Sequence, residues 1–266
     1  MDESAKVGEI LRRTADTHIR VAGVGKQFKS RGSSVVALEA VDLNIGRNEF
    51  VSFLGPSGCG KSTLFMIIAG LLKASEGEVH VGGKLVTKPL TDIGIVFQQD
   101  LLVDWRTVIG NVLLQAEVRG MNIERATVRA KSLLAQVGLA GFEQRRPWEL
   151  SGGMRQRVAI CRALLHEAKV LMMDEPFGAL DALTRDQMNL DLQDIWSSTD
   201  TTAILVTHSI SEAIFLSDRV IVMSPRPGRV LMDLRIALPR PRAVEMKDSA
   251  QFIEYQKLLR GMIGAH

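Results

Sequence analysis

The chain is poor in cysteine, with only Cys59 and Cys161 among 266 residues. Two thiols cannot build a disulfide framework or a zinc site, and the usage fits a reducing compartment. Long apolar runs are missing as well. The longest stretch, Leu64 to Leu72, falls far short of the ~20 residues that a membrane-spanning helix needs. Met1 to Thr17 scatters Asp2, Glu3, Glu9 and Asp16 among basic residues without an apolar centre, so it does not read as a signal peptide. Nor does one sign of charge dominate: 33 Lys and Arg against 30 Asp and Glu leave +3. That excess is too small for neutralising many phosphates, and no nucleic-acid partner is expected. What is present is ordinary globular composition, 46% apolar and 24% charged, without repeats or low-complexity segments. The length fits one large domain, or one carrying an inserted subdomain.

Strand signals begin at His18. Val41, Leu43 and Ile45 alternate with polar neighbours, as on a half-buried strand. Phe50 to Leu54 is a short apolar run that enters a glycine-rich turn and a helix expected over Lys61 to Leu72. Glu78 to Val86 reads as a hairpin turning at Gly82-Gly83. After a buried-type strand at Ile93 to Phe97, no strand pattern appears between Gln98 and Leu150. Thr107 to Arg119 and Glu124 to Val137 read as helices there, with Gly120 and Gly138 near their ends. Strand and helix then alternate: Val170–Met173, Ala182–Trp196, Ala203–Val206, Ser211–Leu216 and Arg219–Met223. Such alternation predicts a parallel sheet covered on both faces. A short hairpin is expected at Val230 to Leu238, and an amphipathic tail helix from Ser249 with Phe252, Leu259 and Ile263 on one side.

Three segments carry chemistry. Gly55-Pro56-Ser57-Gly58-Cys59-Gly60-Lys61-Ser62 fits the phosphate-binding pattern G-x-x-x-x-G-K-[ST], between a strand and a helix. Glycines let the backbone curl so that successive N–H groups face phosphate oxygens at the positive end of a helix. Lys61 adds a full charge near the β- and γ-phosphates, and the Ser62 hydroxyl, with Thr63 following, can ligate Mg²⁺. The apolar strand Val170 to Met173 ends in Asp174-Glu175, at the sheet edge where open α/β folds bind ligands. Asp174 suits Mg²⁺, directly or through water, and Glu175 suits polarising an attacking water. In Leu150-Ser151-Gly152-Gly153-Met154-Arg155-Gln156-Arg157, Ser151 can cap a helix whose free N–H groups Gly152 and Gly153 expose. This second anion site, at the tip of a helical insertion, cannot easily reach the same chain's Lys61. A second copy could present it.

In that order the motifs resemble the ATP-binding subunits of ABC transporters, over about His18 to Arg242. Gly55–Ser62 resembles Walker A, Leu150–Arg157 the family signature, and Val170–Glu175 Walker B. Phe177-Gly178-Ala179-Leu180-Asp181 resembles the D-loop, Gln98 the Q-loop glutamine and His208 the switch histidine. Phe28 falls where the family places an aromatic ring for adenine. The resemblance implies an α/β fold of the P-loop NTPase (RecA-like) class, with a mainly parallel sheet, an antiparallel β subdomain and an inserted α-helical subdomain. It implies a polar N-terminal extension (1–17), an ATPase domain (18–242, helical insertion about 99–152) and a helical tail (243–266). It also implies ATP and Mg²⁺ as cofactors, the metal held by Ser62, Gln98 and Asp174, with Glu175, His208 and Gln98 catalytic. Two chains would sandwich two ATP molecules, each site joining one phosphate loop to the partner's Ser151, Gly152 and Gly153, with Asp181 between the sites.

Leu101 to Val108 and Ala213 to Arg229 look like the importers for nitrate, sulfonates, taurine and bicarbonate. A separate permease would then dock near Gln98–Arg106, with Trp105 and Arg106 as contacts, on the cytoplasmic face of the plasma membrane. An extracytoplasmic solute-binding protein would act indirectly. A soluble repair- or translation-type ABC ATPase, or a nucleotide-dependent regulator, is the alternative. Departures from the family pattern are Asn48 where glycine is usual, Met154 for glutamine, and Cys161 for alanine, read as a small buried hydrophobe. Cys59, at a helix N-terminus, is expected to react with thiol reagents and to be protected by ATP.

Overall fold

A computed structural model describes residues 17–30, 33–178 and 180–264. The polar extension thus lies outside the described residues except for Thr17, and so does Ala179. The described chain forms two compact units, one from residues up to Thr91 with His208–Ile236 and Tyr255 onward, the other from Asp92–Thr207 with Ala237–Glu254.

In the first unit, β1 (Thr17–Ser30) and β2 (Ser33–Gly46) pair antiparallel. β4 (Glu76–Val81) adds to the other edge of β1, and β5 (Lys84–Leu85) follows β4. The expected alternation is realised, since Val41, Leu43 and Ile45 are all buried. Gly82 and Gly83 both take positive φ (57° and 77°), as the two-residue turn requires. A second group begins with β3 (Phe50–Leu54), every residue of which is buried. It pairs parallel with β9 (Arg219–Met223), which pairs antiparallel with β10 (Val230–Arg235). The hairpin expected within Val230–Leu238 is therefore one strand folding back on β9. Asn48 takes the left-handed turn between β2 and β3 (φ 53°) that its polar side chain tolerates.

Helix α1 spans Lys61–Ile68, shorter than the apolar run suggests. Gly70 turns left-handed (φ 73°), and a Cβ there would lie 2.2 Å from the Lys88 carbonyl oxygen. The backbone needs glycine at that point, and the helix ends although Leu71 and Leu72 continue the hydrophobic pattern.

The second unit holds a parallel sheet of β6 (Ile93–Val96), β7 (Val170–Asp174) and β8 (Thr202–Thr207). Between β6 and β7 the described chain is helical, with α2 (Val108–Arg119), α3 (Ile123–Gln136), a single 3₁₀ turn (Pro147–Glu149) and α4 (Gly152–Leu164). Thr107 and Asn122 cap α2 and α3 through their side-chain oxygens, on the Gly110 and Arg125 amides. Gly94 lets α4 approach β6, because a Cβ there would stand 2.4 Å from the Ala163 carbonyl oxygen. Cys161 is fully buried, as a small hydrophobe should be, and burial pushes its thiol up to about 12.

Helix α5 (Ala182–Ser197) follows β7, and its Gln193 amide straps down the segment after β10. Gln193 accepts from the Arg242 amide at 2.7 Å and donates to the Arg242 carbonyl at 3.0 Å, both buried. α6 (Ile210–Leu216) packs on β3. The last helix, α7 (Ala250–Gly264), buries Phe252 and Leu259 completely, while Ile263 is half-buried.

Candidate functional site

β3 delivers the chain into the glycine-rich loop from a fully buried strand, which fixes where the loop starts. Gly55 is required by space, because a Cβ there would lie 2.9 Å from the Met223 carbonyl oxygen. Gly60 is required twice over. Its φ is 105°, and a Cβ would lie 2.7 Å from Leu38 Cδ2. Gly60 caps α1 without a side-chain acceptor, and no acidic residue stands in the first turn. The first N–H groups of α1 therefore open onto the loop with the helix dipole's positive end behind them. Lys61 is buried at 4% exposure, and its ammonium donates to the carbonyls of Gly55 (2.8 Å) and Pro56 (3.0 Å). A positive charge is thereby held inside a curl of backbone amides. Ser62 is exposed on the first turn. This set suits a nucleotide's phosphate tail: amides, one ammonium and one hydroxyl, with an exposed Gly58 at the apex (φ 75°).

Phe28 on β1 belongs to the same unit. It is 45% exposed, with the Lys26 ammonium 5.1 Å from its ring centroid. An open ring beside a cation can stack on a base. Cys59 departs from expectation, since it is only 1% exposed. The turn that presents its neighbours as donors folds the Cys59 side chain inward, and fast modification needs access as well as a thiolate. Burial makes the expected reaction with thiol reagents slow. Native protein should react with a maleimide more slowly than glutathione does, and both thiols should label after unfolding. Rapid native labelling of Cys59 would contradict this packing.

In the second unit, β7 ends at Asp174 and the chain turns at once. Glu175 takes a left-handed backbone (φ 47°), which costs a non-glycine residue about 1–3 kcal/mol. Its amide donates to the Val206 carbonyl at 2.8 Å, and the buried Phe177 anchors the turn. The strain fixes the direction in which Glu175 leaves the sheet edge. Asp181 caps α5 by accepting from the Thr184 amide at 3.0 Å and the Thr184 hydroxyl at 2.7 Å. The Thr184 amide, and then its hydroxyl, hold the Asp181 carboxyl below its usual range. His208 follows β8 and is exposed.

Ser151 is the N-cap of α4, its hydroxyl accepting from the Met154 amide at 3.3 Å. Ser151 and Gly152 are exposed and Gly153 is buried, where a Cβ would meet Thr184 Cγ2 at 2.9 Å. α4 therefore starts with small residues facing outward and packs tightly on α5 behind them.

Sequence patterning missed how the segment carrying Gln98 is held. Gln156 donates to the Phe97 carbonyl (3.4 Å). Arg155 pairs with Asp100 (3.0 Å), and Arg162 donates to the carbonyls of Asp100 and Leu101, each at 2.7 Å. Three side chains of α4 thus grip residues 97–101, leaving Gln98 itself exposed. Arg155 and Arg162 stand seven residues apart on one helix face, a spacing visible in the sequence although its target is not.

The predicted site residues divide between the two units. Phe28, Gly55–Thr63 and His208 lie in one; Gln98, Ser151–Gly153, Asp174, Glu175 and Asp181 lie in the other. Among the described residues there is no cluster of three or more His, Cys, Asp or Glu able to hold a metal ion. Mg²⁺ fits without one, since it is usually bound by one or two carboxylates together with substrate phosphates.

Strand, phosphate loop and helix followed by a strand ending in a carboxylate define a P-loop NTPase. The family description "ABC transporter" matches residues 38–178, and the chain belongs to that family as an ATP-binding subunit, an ATPase. The taurine import ATP-binding protein TauB of Rhizobium johnstonii is 46% identical over 237 residues, 87% of this chain and 90% of that protein. The aliphatic sulfonates import ATP-binding protein SsuB of Bacillus cereus is 43% identical over 239 residues, 90% and 93% of the two chains. Among solved structures, a dimeric ATP-binding cassette in a post-hydrolysis state with ADP and Pi is 33% identical, with a TM-score of 0.73 over 83% of this chain and all of that one. The CbiO1 cassette of Clostridium perfringens gives a TM-score of 0.76 at 28% identity, covering 94% and 98%.

Proposed function

We propose that this chain is the ATP-hydrolysing subunit of an importer for a small solute of the sulfonate and taurine type. It works as a head-to-tail homodimer docked on a separate permease at the cytoplasmic face of the membrane. The observation that carries this reading is that one chain offers two helix N-termini suited to anions, α1 with Lys61 and α4 with Ser151. One nucleotide bound between copies uses both, which is what the likeness to a dimeric cassette with ADP and Pi supports. The import names of the relatives favour this over a soluble repair or translation ATPase.

Each site then combines one chain's phosphate loop with the partner copy's Ser151, Gly152 and Gly153. Phe28 stacks on adenine. Backbone amides and Lys61 hold and orient the phosphates, and the α4 N-terminus faces the γ-phosphate. Ser62, Asp174 and Gln98 would hold Mg²⁺, which would neutralise charge on the phosphate oxygens. Glu175 orients the attacking water and takes its proton, while His208 donates to the γ-phosphate. Asp181 sits between the two sites and couples them.

The permease contact falls near Gln98–Arg106. Trp105 is 79% exposed, and Leu101 and Trp148 are also open, which leaves apolar surface for a partner to cover. No described helix is long and apolar enough to cross a membrane. An extracytoplasmic solute-binding protein acts on that permease rather than on this chain. The test is co-purification from detergent-solubilised membranes with a multi-span protein, retained by wild type and lost by Trp105→Glu. As an exposed substitution it should leave hydrolysis by the isolated chain within about twofold. Retained association in the variant would remove Trp105 from the interface, and no multi-span partner for wild type would overturn the importer reading.

A further inference from the structure

The segment Ser224–Arg229 has no role in the site as drawn so far, yet it presses directly on the phosphate loop. It is first closed on itself. The Ser224 amide donates to the Arg229 carbonyl (2.9 Å), and the Ser224 hydroxyl accepts from the Arg229 amide (3.0 Å) and donates to the Pro227 carbonyl (2.8 Å). It is then fastened to β2, because the Gly228 amide donates to Ala37 (2.9 Å) and the Gly228 carbonyl accepts from the Glu39 amide (3.1 Å). A Cβ on Gly228 would lie 2.1 Å from the Cys59 carbonyl oxygen, so the two backbones touch and only glycine fits. From this braced turn Arg226 reaches outward. Its Nε donates to the Gly58 carbonyl at 3.3 Å, and a Cβ on Gly58 would meet Arg226 Nη2 at 3.5 Å. Pro56, Ser57, Gly58, Pro225, Arg226 and Ile263 line an open cavity of about 420 Å³ there.

We propose that Arg226 is a nucleotide-positioning residue: it pins the apex of the phosphate loop through the Gly58 carbonyl and adds a second positive charge, beyond Lys61, at the loop's mouth. This rests on the reading of Gly55–Ser62 as an ATP site. The physics has two parts. A guanidinium on the Gly58 carbonyl fixes the Gly58–Cys59 peptide, whose neighbouring amides form the cradle, so less ordering is left for the nucleotide to bring about. Its charge is exposed but close enough to raise the local potential felt by a polyphosphate, an effect that salt screens. Arg229 provides an internal contrast. It sits in the same turn with a full charge, but it is paired with Glu39 at 2.8 Å instead of reaching Gly58.

The experiment measures ATP and ADP affinity with a fluorescent nucleotide, and kcat and KM for hydrolysis, on the full chain. Arg226→Ala should weaken binding and raise KM about 3- to 10-fold, in line with loss of one hydrogen-bonding partner, while kcat at saturating ATP changes little. Arg226→Lys, which keeps the charge, should recover most of the loss; Arg226→Gln should not. Added salt should narrow the gap between wild type and Arg226→Ala, and Arg229→Ala should bind as wild type does. Because Arg226 is exposed, these variants should fold, and thermal unfolding checks that they do. Wild-type affinity in Arg226→Ala, an equal loss in Arg229→Ala, or a fall in kcat with KM unchanged would each overturn the inference. Wild type that binds no nucleotide would instead overturn the ATP-site reading, and this inference with it.

Discussion

Glu175→Gln should bind ATP at close to wild-type affinity, lose turnover by about 10²- to 10⁴-fold, and run as a dimer on gel filtration when ATP is present. The size of the kinetic loss is that of removing a positioned general base. Gln keeps the shape of the side chain but cannot take the proton of an attacking water. The backbone supports this as a clean test, because Gln, like Glu, is asked for the same left-handed φ of 47° and the same amide bond to Val206. Stability should therefore be unchanged, and any loss is chemical. The dimer follows from the shared site: if Ser151–Gly153 of one copy close on the nucleotide of the other, uncleaved ATP holds the copies together. A variant that binds ATP and stays monomeric would exclude the shared site, and near-normal turnover would remove Glu175 as the base.

Lys61→Ala should lose the phosphate grip itself. The ammonium is buried and already bonded to two carbonyls of its own loop. It can be shared with a phosphate without being brought in from solvent, and little ordering cost offsets the contact. A hydrogen bond to a charged group is worth about 1.5–3 kcal/mol, so ATP affinity should fall about 10- to 100-fold. Turnover should drop below detection, because on the proposed reading the lost charge would also stabilise the transferring phosphoryl group. Titration with a fluorescent nucleotide, alongside an unchanged circular dichroism spectrum, separates this from misfolding. An unchanged Kd would mean that Lys61 serves only to close its own loop.

Much of the fold was legible because it is written in short-range pattern. Strands β7 and β9 are written as continuous runs of four apolar residues (Val170–Met173 and Val220–Met223), β3 as an apolar stretch broken only by Ser52, and α4 announces itself through Ser151. The errors came where distant backbone intervened. α1 stops at Ile68 because Gly70 meets the chain at Lys88. β10 pairs with β9 instead of forming its own hairpin, since the backbone N–H and C=O groups of a strand edge are satisfied by whichever neighbour the fold supplies. The burial of Cys59 has the same origin: its place at a helix start says nothing about which way the turn folds its side chain.

The motif residues, their order and the two places suited to phosphate and metal follow from local chemistry. Glycines in a curl, a capped helix start and carboxylates after a buried strand mean the same thing wherever the chain carries them. Contacts between residues far apart in sequence do not. The grip of Arg155, Gln156 and Arg162 on residues 97–101, the strap from Gln193 to Arg242, and the approach of Arg226 to Gly58 arise only once the packed elements bring separate segments within hydrogen-bonding distance. Residue type and spacing therefore name the groups suited to act on a nucleotide. Packing settles which of them are buried, held or exposed, because burial and hydrogen bonding depend on neighbours that no local pattern names.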